Sequence, residues 1–405
     1  MYSKIKALTT QDFYDMTNNQ TKISMKSKHK FFRLHMGLLF IIMAGSLLTF
    51  SSCEKEEEYG IPQITNIRVT DPGRANESLS VGELGQMIVI QGKNLRSAQH
   101  VFFNNVEAFF NPTLATDENL IVRIPNEFPT EITNAIKVVT KGGEASYNFV
   151  VDIPAPQAID FPLEWVPEGE ALTIRGDYFV NVNSVEFHGG ATTTNFNIVT
   201  PQKLEVMVPA GAQSGPVKVH AVAGTATSRA HFRDNRNMMV DFSGAFPICW
   251  GGDAYVVNAN NIPANVPVKP INGNFYYIKK DYAGGTWWIQ ETVIAYCGGL
   301  TVSGSKANWA LAFEMWVGEA WDKNWFEIEM FGDAMIYYEW RGWDSLGGEA
   351  KVLRNTGWMT VKIPLANMTA LSGDTFRMGR FGSYKAQHAD VIEFAFDNFR
   401  FVPLN

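Results

Sequence analysis

From about residue 60 onward, apolar residues alternate with polar ones in short runs closed by Gly, Pro and Asn. In Gln86-Met-Ile-Val-Ile-Gln91 and Glu170-Ala-Leu-Thr-Ile-Arg175, Ile88, Ile90, Leu172 and Ile174 fall on one face of a period-two pattern, with the intervening positions able to face water. In the last third, strand signals recur at Met238–Phe242, Asn274–Lys279, Trp287–Val293, Ala307–Val317, Trp325–Phe331, Met335–Trp340, Met359–Ile363, Thr375–Gly379 and Val391–Val402, and no segment carries a helical period. An all-β chain is predicted.

The pattern repeats. Gly85–Leu95 aligns with Gly169–Phe179, Val101–Asn104 with Val185–His188, and Leu120–Pro125 with Leu204–Pro209, always at an offset of 84 residues. A constant offset is a structural register rather than a likeness of composition, and each copy has the size and turn spacing of a small β-sandwich. The segments 61–155 and 156–233 are read as two tandem sandwiches joined by the Pro154-Ala-Pro156 seam, a stiff spacer. His188 and His220 stand alone on strand-like segments and are read as surface or packing residues, since metal ligands cluster at fixed spacings.

Composition shifts near Arg233-Asp-Asn-Arg-Asn237. Of the 11 tryptophans, all but Trp165 lie between Trp250 and Trp358. Short strands over 234–405 suggest one larger, jelly-roll-like sandwich. The chain of 405 residues is 46% hydrophobic and 19% charged, which is globular, and its net charge of −7 with no basic cluster beyond the N-terminus argues against nucleic acid. An indole offers a flat apolar face and one N–H donor, matching the C–H face and hydroxyl edge of a sugar ring. A neutral carbohydrate is therefore the ligand class the composition favours.

At the N-terminus, Met25–Arg33 forms a positive n-region and Gly37–Phe50 an apolar run of about fourteen residues, short for a membrane span but right for a signal peptide. Residues 1–52 are read as that signal, with Met25 as an alternative start. Phe50-Ser-Ser-Cys53 resembles the bacterial lipobox, which would leave Cys53 as a lipidated first residue. Glu54-Lys-Glu-Glu-Glu58, within the tether 53–60, resembles the surface-export signal of Bacteroidota lipoproteins.

The two repeats resemble the IPT/TIG immunoglobulin-like fold: a strand, Gly-x-Asn/Tyr-Leu/Phe, a Val-x-Phe strand, and a strand closing on Val/Ile-Pro. Val240-Asp-Phe242, Trp358–Pro364 and Phe394–Phe401 resemble strands of galactose-binding-like carbohydrate modules. Together these features resemble the surface glycan-binding lipoproteins of Bacteroidota encoded beside TonB-dependent glycan importers, the type whose terminal domain is tied to xyloglucan and other β-glucans. The resemblance implies a non-catalytic protein, lipid-anchored in the outer membrane and facing outward. It would pass polysaccharide to a TonB-dependent transporter and a SusD-like protein.

Alternation supplies site candidates. In Ala310–Gly318, Leu311, Phe313, Met315 and Val317 form one face and Glu314 and Trp316 the other. In the strand at Trp325, Glu327 and Glu329 share Trp325's face. If these strands pair, Trp316 and Trp325 form a stacking platform with Glu314, Glu327 and Glu329 as acceptors. Each stacked ring would contribute about 1–3 kcal/mol, enough in twos or threes for micromolar affinity. Of Trp287 and Trp288, adjacent on an expected strand, one should be core and Trp288 the exposed one. Trp321 and Trp343 sit in polar turns as further contacts, and Tyr277, with Tyr276, at a cleft rim. Trp250, Trp309 and Trp358 are assigned to structure. Cys249 and Cys297 either pair or remain buried thiols. No cofactor is expected. A calcium ion at Asp397 would follow other jelly-roll modules, but no run of alternating acidic ligands supports it.

Two rival readings are an adhesin for host protein or glycoprotein, and a jelly-roll glycoside hydrolase. Glu327 and Glu329 stand about 7 Å apart along a strand, within the roughly 5–10 Å that paired catalytic carboxylates need. The strand lacks the Asp and closing Glu of the retaining jelly-roll enzymes.

Overall fold

The structure, a computed structural model, describes residues 59–244 and 246–404. The signal segment, Cys53 and the acidic run lie outside these residues. Three β-sandwiches follow one another, each with a hydrophobic core drawn from its own stretch of sequence.

In the first, the sheet Gln63–Val69, Met87–Lys93, Asn119–Arg123 faces the sheet Val106–Glu107, Ala98–Phe103, Ala135–Thr140, Gly143–Asn148. In the second, Gln157–Asp160, Ala171–Asp177, Lys203–Met207 and Phe196–Thr200 face Thr192–Thr193, Val182–His188, Gln213–Ala221 and Gly224–Phe232. The repeat persists in the pairing: Ile88 lies across from Val122, and Leu172 from Val206. All four are buried, as are Ile90 and Ile174; Val89, on the expected solvent face, is buried as well. His220 bonds Thr225 and Glu186, so it packs by hydrogen bonding.

Both copies share one backbone constraint. A Cβ on Gly92 would lie 1.8 Å from the Gln63 carbonyl oxygen, and one on Gly176 1.8 Å from that of Gln157. The side chain is missing so that the first strand can close on the second. Two residues on, Asn94 and Tyr178 both have left-handed φ, 59° and 57°. Gly176→Ala is expected to split this strand pair and destabilise the second sandwich by several kcal/mol, about the upper range for point substitutions. Urea denaturation of wild type and variant measures it; a loss below about 1 kcal/mol would contradict the reading.

The third sandwich has a six-stranded sheet in the order Val256–Val257, Phe275–Tyr282, Asp390–Pro403, Trp309–Val317, Met359–Pro364, with Met238–Val240 also pairing to Asp390–Pro403. Facing it is a five-stranded sheet in the order Ile294–Ala295, Thr375–Lys385, Trp325–Phe331, Met335–Trp340, with Val302–Ser303 added on Thr375–Lys385. Between them lies an aromatic core in which Phe313, Phe326, Phe381, Phe394, Phe396 and Phe399 meet edge-to-face and stacked. The expected strand at Trp287–Val293 is instead a loop and a 3₁₀ turn, Gln290–Thr292. The turn around Trp343 is a short helix, Gly342–Leu346.

The second and third sandwiches meet through buried charge. Arg400, fully buried, donates to Glu314 at 2.8 and 2.9 Å and to Glu164 at 2.7 Å. Lys362 reaches Glu164 at 2.6 Å. Thr360 accepts from the Glu164 N–H and donates to Glu314 Oε1. Glu164 belongs to the second sandwich's chain segment and the others to the third.

Asp397 is buried beside this network. One oxygen accepts the Asn398 N–H and the other has no partner. Burial, and then the Glu314 charge, push its carboxyl well above the usual range. A group held neutral in the fold but ionised when unfolded favours folding below its ordinary pKa, and that contribution is lost as pH rises through the folded pKa. Asp397→Asn is therefore expected to match wild type near pH 4 and to be more stable at pH 8, by on the order of 1 kcal/mol. Thermal melts across pH test this. Among the described residues, no group of three or more His, Cys, Asp or Glu side chains is placed to hold a metal ion.

Candidate carbohydrate-binding face

Three tryptophans stand exposed: Trp287 at 66%, Trp288 at 43% and Trp250 at 41%. All three belong to the free edge of the five-stranded sheet. Thr286 bridges Ala386, which puts Trp287 and Trp288 at the end of Thr375–Lys385. Because they lie on a loop and not a strand, the rule of opposite faces fails and both indoles point outward.

Gly251 bridges Ile294 antiparallel, and the Cys249 N–H donates to the Ala295 carbonyl at 3.2 Å, which fixes Trp250 between these two contacts at the edge of the sheet. Ala295 pairs with Arg380, Arg380 with Glu329, and Glu329 with Tyr337 across the same sheet. Trp250, assigned to structure from the sequence, is thus a solvent-exposed ring at this edge. The Cys249–Cys297 disulfide, with its Cα atoms 6.0 Å apart, fastens its segment to the sheet. Closing a loop of 48 residues lowers the entropy of the unfolded chain by an amount equivalent to about 4 kcal/mol. Reduction by dithiothreitol is expected to lower the melting temperature of the third sandwich by several degrees, and an unchanged melt would contradict this.

The outer face next to these rings is a ladder of paired charges. Arg380 meets Glu329 at 3.0 Å, Lys385 meets Glu327 at 3.3 Å, and Arg341 meets Glu339 at 2.8 Å. The Arg380 guanidinium lies 4.6 Å from the Trp288 ring centre and 5.4 Å from that of Tyr337, and Lys385 Nζ lies 5.6 Å from Trp288. Arg341 covers Trp325 at 4.6 Å. Such contacts are worth about 0.5–1 kcal/mol each and orient the rings. Trp288 is therefore held by cations on one side while much of its surface stays in water. Three cations of this face are paired with carboxylates, while Arg377 lies over the Phe331 ring at 4.1 Å, so beside the ion pairs the recognition surface is aromatic. Trp287, Trp288 and Tyr337 all reach solvent on this side, an open shape that admits a long chain.

The expected pairing of the Trp309–Val317 and Trp325–Phe331 strands does not occur, because they lie in opposite sheets. Trp316 and Trp325 therefore share no face. Trp316 is half-buried on the outer side of the six-stranded sheet, packed with Tyr277 and Trp358. Glu314 is fully buried and serves Arg400. Trp321, 2% exposed, fills the core between Phe326, Trp340 and Phe394. Tyr277 is 6% exposed and donates to Glu393 at 2.8 Å; burial, then Glu393, push its phenol up. Trp343 is half-buried with its N–H on the Asn324 carbonyl. Trp309 and Trp358 are half-buried, bonded to Ser303 and Lys269 carbonyls. Glu327, Glu329, Trp325, Trp287 and Trp288 are brought to one side, and Trp250 and Tyr337 are the members the sequence reading missed.

This fold and face define a β-sandwich carbohydrate-binding protein displayed on immunoglobulin-like modules. Residues 232–403 match the surface glycan-binding protein B xyloglucan binding domain, and residues 161–233 match the IPT/TIG domain. A curated relative, an IPT/TIG domain-containing protein of Bacteroides ovatus, is 23% identical over 503 residues, 93% of this chain and all of that one. A solved structure, surface glycan-binding protein PbSGBP-B from Prevotella bryantii, shares the fold at a TM-score of 0.58 with 20% identity, covering 85% of this chain and 99% of that one. SGBP-B of Bacteroides uniformis matches at a TM-score of 0.44 with 18% identity over 85% of this chain and 99% of that one. The third sandwich thus carries a surface glycan-binding protein B xyloglucan binding domain and the second an IPT/TIG domain, the make-up of a glycan-binding protein and not of an enzyme.

Proposed function

We propose that this chain captures a neutral β-glucan, xyloglucan or a mixed-linkage glucan, at the cell surface by stacking sugar rings on Trp287, Trp288 and Trp250. The observation that carries this reading is the trio of exposed indoles on one edge of an open face, within a segment that matches a xyloglucan binding domain. Tyr337 and the Glu329–Arg380 pair supply hydrogen-bonding groups beside the rings. The lipid on Cys53 anchors the chain to the outer membrane, the sandwiches 61–155 and 156–233 hold the domain 234–405 away from it, and a TonB-dependent transporter with its SusD-like partner takes the glycan inward.

Glu327 and Glu329 are each committed to a cation. Their strand also lacks the Asp and closing Glu of the retaining jelly-roll enzymes, so these residues support ligand contact and not cleavage. Isothermal titration of residues 54–405 with a xylogluco-oligosaccharide and a mixed-linkage gluco-oligosaccharide tests the proposal. Micromolar binding to at least one, with no release of reducing ends, is expected. Binding to neither, together with binding to a glycoprotein, would transfer the function to adhesion.

A further inference from the structure

The opposite outer face of the third sandwich carries a cleft of about 350 Å³ beside the six-stranded sheet, lined by Tyr255, Asn258, Asn261, Asn265, Tyr277 and Lys279. We infer that this cleft is a second carbohydrate site, one that takes a short neutral unit such as a chain end or side branch. The inference rests on the proposed function for the class of ligand and not for the location.

The floor is built. Glu393, 8% exposed, accepts from the Tyr277 hydroxyl at 2.8 Å and pairs with Lys279 at 3.2 Å; Lys279 also pairs with Glu319 at 2.9 Å. The charges in the cleft are thus satisfied among themselves, which disfavours an ionic ligand. Trp316 stands in the same row as Tyr277, across Ala395.

Asn258 has a structural role in its turn, whereas Asn261 and Asn265 are solvent-exposed at the cleft. Asparagine is common in loops because it tolerates left-handed backbone, yet Asn258, Asn261 and Asn265 do not adopt positive φ. Asn258 accepts the Asn260 N–H through its side chain. Among the described residues, the side-chain amides of Asn261 and Asn265 have no hydrogen-bond partner. An amide offers both donors and acceptors, as a sugar hydroxyl requires. Val256, Pro263 and Val266 give an apolar wall for the C–H face of a ring. The volume is at the low end of the roughly 300–1,000 Å³ of small-ligand sites, which matches a short sugar unit. Two sites on opposite faces would let one molecule hold two chains or two parts of one chain, raising effective concentration without any new contact.

Residues 54–405, labelled with ¹⁵N, are titrated with a xylogluco-oligosaccharide and a mixed-linkage gluco-oligosaccharide. The side-chain amide signals of Asn261 and Asn265 and the indole signals of Trp287 and Trp288 are read in the same spectra. The inference expects the asparagine signals to move with a dissociation constant on the order of 1 mM. They should keep doing so in a Trp287→Ala/Trp288→Ala variant. They should lose the response at least tenfold in Tyr277→Phe, and Asn261→Ala/Asn265→Ala should leave the indole response intact. If only the indoles respond, the second site is overturned and the platform stands. If only the asparagines respond, the platform reading falls and the cleft stands. No response from either overturns both.

Discussion

Arg400→Met is expected to destabilise the third sandwich by about 3–5 kcal/mol, the cost of leaving buried acids without their counter-charge. Arg400 has no exposed surface, and both Glu314 and Glu164 depend on it. Taking an ion pair from water is itself costly, so the network's worth lies in its completeness. Replacing Arg400, Glu314 and Glu164 together by apolar residues of similar volume should recover most of the loss. Since Glu164 comes from the second sandwich, Arg400→Met should also speed proteolysis between residues 233 and 238. Urea unfolding of the single and triple variants measures the effect. A single variant within 1 kcal/mol of wild type would show that the buried charges carry little.

Trp287→Ala and Trp288→Ala are each expected to weaken glucan binding by about 1–3 kcal/mol, roughly five- to 150-fold, with the double variant at the limit of detection. Trp287 is the more exposed ring and its loss should change stability by less than about 0.5 kcal/mol, whereas Trp288→Ala also gives up the Arg380 and Lys385 contacts and should cost about 1–2 kcal/mol. Trp321→Ala is the control of opposite sign: it opens a cavity and costs stability, about 3–5 kcal/mol. Titration calorimetry and thermal melts on the same samples separate the two effects. Unchanged binding in the Trp287/Trp288 double variant would remove these rings from the site.

The repeats were legible because their constraints are local. Gly92 and Gly176, 84 residues apart, each meet the carbonyl of the glutamine that opens the first strand of their sandwich, and Asn94 and Tyr178 both adopt left-handed φ, so the 84-residue offset recorded real geometry. Face alternation was legible too: Trp325, Glu327 and Glu329 do share the outer side of their strand, while Phe326, Ile328 and Met330 are core. What alternation does not encode is which sheet a strand joins. The segment from Gly318 to Asn324 crosses from one sheet to the other, and that crossing parted Trp316 from Trp325 and drove Trp321 into the core. Glu314 lies on the side alternation assigned to solvent, but the second sandwich covers that side with Glu164. Trp250 went unrecognised because its exposure depends on a single bridge, Gly251 to Ile294, and on the Cys249–Cys297 disulfide, neither of which has a periodic signal.

The central claim is that the open face of the third sandwich holds a neutral β-glucan. Native affinity electrophoresis of residues 54–405 in gels cast with xyloglucan, mixed-linkage glucan, mannan or a charged polysaccharide tests it most directly. Retardation in a β-glucan gel, strongly reduced in the Trp287→Ala/Trp288→Ala variant and kept in Trp316→Ala, is the result the account requires. Equal mobility in every gel, or retardation undiminished in the double variant, would contradict it.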